Sequence, residues 1–142
     1  MLLILFDMNF DLVDYGECTT CTTENLKKRL VKDKLCVLNI NIRSLSSNFI
    51  TLLGFLNDLN TPVDIIVVTE SWLNDSNANL FNIPGYKSIY VNRNHMGGGI
   101  CVFYRQDLKI EKLDSNSGIY DSHESLTFFI YFNNIKITIM CV

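Results

Sequence analysis

Asp64-Ile65-Ile66-Val67-Val68-Thr69-Glu70-Ser71-Trp72-Leu73 decides how this chain is read. A run of Ile and Val, long enough for a buried strand and short for a helix, ends on a carboxylate. Upstream, Leu38-Asn39-Ile40-Asn41-Ile42-Arg43-Ser44-Leu45 repeats the arrangement with an amide: the apolar run that starts at Leu35 ends at Asn41. Between the two, Leu45, Phe49, Leu52, Leu53, Leu56 and Leu59 fall at i, i+4, i+7, i+8, i+11 and i+14, which is one face of a helix. Ser44, Ser46 or Ser47 can cap its start, and Asn60-Thr61-Pro62 stops it. Strand, crossover helix, strand is a βαβ unit, so the two strands should run parallel. Functional groups gather at the carboxyl ends of adjacent parallel strands. Asn41 and Glu70 are therefore expected side by side at one rim.

Downstream, residues 71 to 85 read as a loop that ends in Ile83-Pro84-Gly85. Tyr86 to Val91 alternates like a half-exposed strand, and Asn92 to Gly99 is a turn opening into strand Ile100 to Tyr104. Leu108 to Leu113 reads as another short strand, and Asp114 to Asp121 as polar loop. Glu124 to Tyr131 and Ile135 to Val142 make a hairpin around Asn133-Asn134, a good turn pair. One βαβ unit followed by antiparallel strands suggests half of an α/β sandwich. Residues 1–33 form a separate leader of weak structure, with a short helix over Glu24 to Val31. The globular part is 34–142.

With 142 residues, 48% of them hydrophobic and 19% charged, the chain can bury a core. The net charge of −3 and the lack of a basic stripe argue against strong independent DNA binding. They do not argue against a metal-dependent nuclease, whose site is built from carboxylates. Of the five cysteines, Cys36, Cys101 and Cys141 lie in apolar runs, where a thiol acts as a small hydrophobe. Cys18-Thr-Thr-Cys21 has zinc spacing, but no second pair accompanies it and His95 and His123 are distant, so zinc is not expected. The thiol usage fits a reducing compartment. Met1 to Phe6 is apolar but lacks a basic flank, and no run approaches a membrane span. The chain reads as intracellular, nuclear or cytoplasmic, not secreted and with no membrane partner.

A carboxylate at Glu70 can hold a hard divalent cation through oxygen and leave waters for a substrate phosphate. A neutral amide at Asn41 can donate to a phosphate oxygen without adding repulsive charge. Metal-assisted phosphodiester hydrolysis uses such a pair at one corner of its site. Each residue also has a plainer alternative: Glu70 as a strand-ending surface residue, Asn41 as a cap for the turn into the helix.

The longer pattern carries a resemblance. Asn39-Ile40-Asn41-Ile42-Arg43-Ser44-Leu45, the amphipathic helix, Asp64 through Leu73, Pro84-Gly85-Tyr86, Arg93 and Gly97-Gly98-Gly99-Ile100-Cys101-Val102 together resemble the endonuclease/exonuclease/phosphatase superfamily. The wording of Glu70-Ser71-Trp72-Leu73 and of the triple glycine is similar to the branch found in non-LTR (LINE-type) retrotransposon endonucleases. The resemblance spans residues 35 to 142. It implies a four-layered α/β sandwich and a Mg²⁺-dependent (or Mn²⁺-dependent) DNA nickase whose nick primes reverse transcription of the element RNA. It gives Asn41 the role of the phosphate- and metal-organising asparagine and Glu70 that of the metal-binding glutamate, both catalytic. Arg93, the triple glycine and Glu124 are read as structural, and His123 as a surface histidine.

The family pattern continues with a tyrosine, an Asp-x-Asn pair and a terminal Ser-Asp-His set, which do not occur before Val142. The chain is thus expected to be the N-terminal half of such an endonuclease, inactive alone because the base and its orienter are missing, with one sheet face uncovered. DNA is the expected partner. Element RNA and reverse transcriptase enter only if the chain belongs to a longer polyprotein. Two other readings stay open: a non-enzymatic remnant or binding module, and a truncated lipid or RNA phosphoesterase of the same superfamily.

Overall fold

A computed structural model of the chain describes residues 3–7, 35–60, 62–93, 97–120 and 123–142. The elements are β1 (Leu3–Asp7), β2 (Cys36–Asn41), α1 (Leu45–Leu59), β3 (Ile65–Thr69), β4 (Tyr86–Val91), β5 (Ile100–Arg105), β6 (Lys109–Lys112), β7 (Gly118–Ile119), β8 (Glu124–Phe132) and β9 (Ile135–Cys141). Single 3₁₀ turns occupy Ala78–Leu80 and Asp114–Asn116.

The first sheet has the order β1-β2-β3-β5-β4. β2 and β3 are parallel, with Asn41 level with Thr69, as the βαβ reading requires. Every other pairing in this sheet is antiparallel. In the second sheet β8 is central, flanked by β9 on one edge and by β6 and β7 on the other.

The helix forms where the period places it. Ser44 is its N-cap, with its hydroxyl accepting from Ser47 N, and Asn60 ends it in the left-handed conformation that suits Asn. Leu45, Leu52 and Leu59 are buried against the first sheet, each worth about 1.5–3 kcal/mol of apolar burial. They join Leu38, Ile40, Ile66, Val68, Cys101 and Phe103 in one core. The residues that alternate with these, Val37, Ile65, Val67 and Val102, face the second sheet and meet Leu126, Phe128 and Ile130 in another core. The first sheet is thus covered on both faces, by α1 and by the second sheet.

The face expected to be uncovered is, among the described residues, the outer face of the second sheet, where Phe129 and Tyr131 are half-buried. Lys136 Nζ lies 3.5 Å from the Phe129 ring centre and Lys109 Nζ 4.7 Å from that of Tyr131, so cations shield these rings.

Leu3–Asp7 pairs antiparallel with β2, Leu3 against Ile40 and Asp7 against Cys36. The sequence reading placed no strand before Leu35, because this pairing joins segments far apart in the chain. The helix expected over Glu24 to Val31 and the Cys18–Cys21 pair lie outside the described residues, as does His95. The β8–β9 turn is as read: Asn133 and Asn134 have φ of 48° and 64°, the positive pair that a tight primed hairpin turn needs. The loop over Asp114 to Asp121 contains β7, which the sequence reading missed. Ser125 Oγ and Thr127 Oγ1 hold it near β8 by donating to Asn116 O.

Buried Cys101 and Cys141 are free thiols that burial pushes to pKa values of about 12 and about 11. They pack as small hydrophobes. Among the described residues no helix is long and apolar enough to cross a membrane.

Candidate functional site at the β2–β3 rim

Three chain segments meet beyond the carboxyl ends of β2 and β3. Backbone N–H groups stitch them: Ile42 N to Thr69 O, Ser44 N to Glu70 O, Leu45 N to Ser71 O, Ser71 N to Gly99 O and Trp72 N to Gly98 O. The seam requires unusual backbone. Arg43, Ser44, Glu70 and Trp72 have φ of 48°, 83°, 54° and 55°, and Gly97, Gly98 and Gly99 have φ of 93°, 72° and 81°. Each non-glycine residue held there costs about 1–3 kcal/mol, and such strain concentrates at functional sites.

Glu70 sits in this seam, as the sequence places it. Its Oε2 accepts from Trp72 Nε1 at 2.7 Å and from Gly98 N at 3.0 Å. The indole and then the Gly98 amide hold its carboxyl below the usual range, and Arg93 and Arg43 add to this. Glu70 is therefore an anion at neutral pH. Its Oε1 takes no hydrogen bond among the described residues.

Asn41 is exposed at the end of β2, and its side chain makes no hydrogen bond among the described residues. It does not cap α1; Ser44 does that. Asn48 instead braces the turn, donating from Nδ2 to Ile42 O at 3.0 Å and Arg43 O at 3.2 Å. The sequence reading did not single out Asn39. It lies two residues before Asn41, on the same face of β2, and its Oδ1 is buried with no hydrogen-bond partner among the described residues. The period-2 rule marks it, because a polar residue alternates into an otherwise apolar inner face there.

Arg93 and Glu124 form an ion pair behind Gly98, with side chains 30% and 15% exposed. A Cβ on Gly98 would stand 2.6 Å from Glu124 Oε1 and 2.7 Å from Arg93. The pair thus backs the glycine that holds Glu70, in keeping with the structural reading of all three. His123 is exposed and stacks on Tyr120 at 5.0 Å.

A cleft of about 780 Å³ opens between β2 and α1, lined by apolar Ile42, Leu52 and Phe55 and by polar Asn41, Arg43 and Asn48. Glu70 does not line it, so the carboxylate chemistry belongs to the strained seam.

Mg²⁺ binds through oxygen, takes one or two protein carboxylates and keeps several waters. Glu70 offers one carboxylate oxygen to such a cation, and Asn41, exposed at the end of β2, an amide oxygen. Among the described residues no three Asp, Glu, His or Cys side chains converge on one point.

No family model matches the chain, and no curated protein matches it. Among solved structures it is similar to a 3'-5' exonuclease (NExo) from Neisseria meningitidis, with 18% identity and a TM-score of 0.47 over 72% of this chain and 39% of that one. It is also similar to the 3' phosphatase NExo from Neisseria bound to a product DNA hairpin, with 17% identity and a TM-score of 0.44 over the same shares. The chain spans 39% of the length of these solved structures.

Proposed function

We propose that this chain is the N-terminal part of a Mg²⁺-dependent DNA endonuclease of the retrotransposon type, inactive by itself. In this reading Glu70 anchors the cation through Oε1, and Asn41 orients a phosphate or a metal-bound water beside it. The cation, when bound, supplies charge stabilisation at the scissile phosphate. The chain's own part is to keep Glu70 ionised and fixed. The Trp72 indole and the Gly98 amide do so by occupying Oε2, which sets the direction of the other oxygen. Nicked DNA, and an element RNA with its reverse transcriptase in a longer polyprotein, are the partners of this reading.

The observation that carries the proposal is the Glu70 carboxylate, held at the rim of two parallel strands by two donors on one oxygen while the other takes no hydrogen bond among the described residues. The test is nicking of supercoiled DNA by a protein in which this sequence opens a complete nuclease domain. Glu70→Ala should abolish Mg²⁺-dependent nicking. Unchanged nicking removes Glu70 from the site.

A further inference from the structure

We propose that Trp72 is a stacking platform for one unpaired nucleobase of the strand whose phosphate sits at Glu70. This rests on the reading of Glu70 as the anchor of a phosphodiester site and adds the group that grips the substrate.

Trp72 is the single tryptophan of the chain. Its neighbours Ser71 and Leu73 are 0% and 1% exposed, whereas Trp72 is 38% exposed. A lone exposed apolar residue is ordinary on a protein surface. This one is held as few surface residues are. Its backbone N–H donates to Gly98 O at 3.0 Å. Its φ of 55° is an outlier for so bulky a residue. Its indole N–H is committed to Glu70 Oε2 at 2.7 Å. The first two constraints fix the backbone that carries the ring and the third holds the ring itself, so part of the side-chain freedom a ligand would otherwise have to remove is already lost. A pre-ordered ring of this kind binds flat partners at low entropic cost.

The surroundings select the partner. The edge of the ring touches the carboxylate that the hydrolytic reading gives to the cation. Arg43, in the turn between β2 and α1, is joined to the Glu70 backbone through its neighbour Ser44, whose N–H donates to Glu70 O at 2.9 Å, which puts a cationic side chain on the same rim. A phosphodiester bound at Glu70 carries a base on its own or the adjacent sugar, within reach of the ring. Aromatic stacking accepts any base, because each has a π face, and contributes about tenfold or more in affinity per base. The base must be out of the duplex, either flipped or at a frayed step.

Since Trp72 is the sole indole, its fluorescence reads the site directly in the full chain. The titrants are a short oligothymidylate, a strand with the same number of phosphates but abasic sugars, and Mn²⁺ alone. The oligothymidylate should quench Trp72 emission saturably, and the abasic strand should leave it unchanged. By anisotropy of a labelled oligothymidylate, Trp72→Ala should bind about tenfold or more weaker than the native chain, and Trp72→Phe, which keeps a ring but loses the indole bond to Glu70, should bind more tightly than Trp72→Ala. Equal responses to the two strands, or no response to either, overturn the stacking role. The Mn²⁺ titration reports separately on Glu70: quenching by Mn²⁺ that Glu70→Gln removes supports the anchor. Its absence alongside a base-dependent response overturns the anchor and leaves the platform standing.

Discussion

Gly98 donates its backbone N–H to Glu70 Oε2 at 3.0 Å, across 28 residues of chain. That bond ties the exit of β3 to the glycine turn before β5, and the Arg93–Glu124 ion pair fills the space where any Gly98 side chain would go.

Gly98→Ala should therefore be costly twice, once for φ of +72° and once for the clash with Glu124 and Arg93. A loss of about 2–4 kcal/mol is expected, combining left-handed strain with local displacement. Urea unfolding monitored by the single tryptophan measures it. A variant as stable as the native chain would show that the turn relaxes freely.

Gly54 gives the opposite case. It lies inside α1, and a Cβ there meets nothing within 4 Å. Gly54→Ala should stabilise the protein by about 0.5–1 kcal/mol, since glycine carries an entropic cost in a helix interior. A raised unfolding midpoint with an unchanged denaturant slope is the expected result.

How Glu70 responds to pH follows from its donors. Its folded pKa lies below its ordinary value of 4.5, so its ionised form favours the fold. That contribution is fully present above the unfolded value and is lost as the pH falls through the folded one. The stability difference between the native chain and Glu70→Gln should thus be constant near neutrality and shrink as the pH drops below about 4.5. A difference that grows on acidification would contradict the bonding at Oε2.

Asp64 anchors the opposite end of β3. Its Oδ2 accepts from Cys36 N at 2.7 Å and its Oδ1 from Arg105 at 3.0 Å, while burial is the main influence and pushes its carboxyl up. Asp64→Ala removes the carboxylate that accepts from Cys36 N and should cost about 1–3 kcal/mol. The Arg105 share is small, because that side chain is 35% exposed. Thermal unfolding of Asp64→Ala against Asp64→Asn, which keeps one acceptor, separates the two bonds.

The parts of this fold that can be read in the sequence are those set by local periodicity. The leucine face of α1, the two apolar runs and the Asn133-Asn134 turn each carry their signal within a few residues. β1 does not, because the partner that makes Leu3–Asp7 a strand lies at Cys36–Asn41. The same division holds at the site. Asn41 and Glu70 are legible as polar ends of apolar runs. The Trp72–Glu70 bond is not, because it depends on left-handed backbone at two residues that rarely adopt it. Asn39 could have been found by counting alternate residues on β2. The Arg93–Glu124 pair needed the fold, since it joins the end of β4 to the start of β8.

Cation binding at Glu70 is tested most directly by the electron paramagnetic resonance of Mn²⁺ added to the native chain and to Glu70→Gln. If Glu70 anchors the cation, the native chain should diminish the free-ion signal with a one-site dependence, and Glu70→Gln should lose that effect by at least about tenfold in affinity, as for a removed charged ligand. Equal binding by both chains, or none by the native one, would contradict the assignment of Glu70 as a metal anchor.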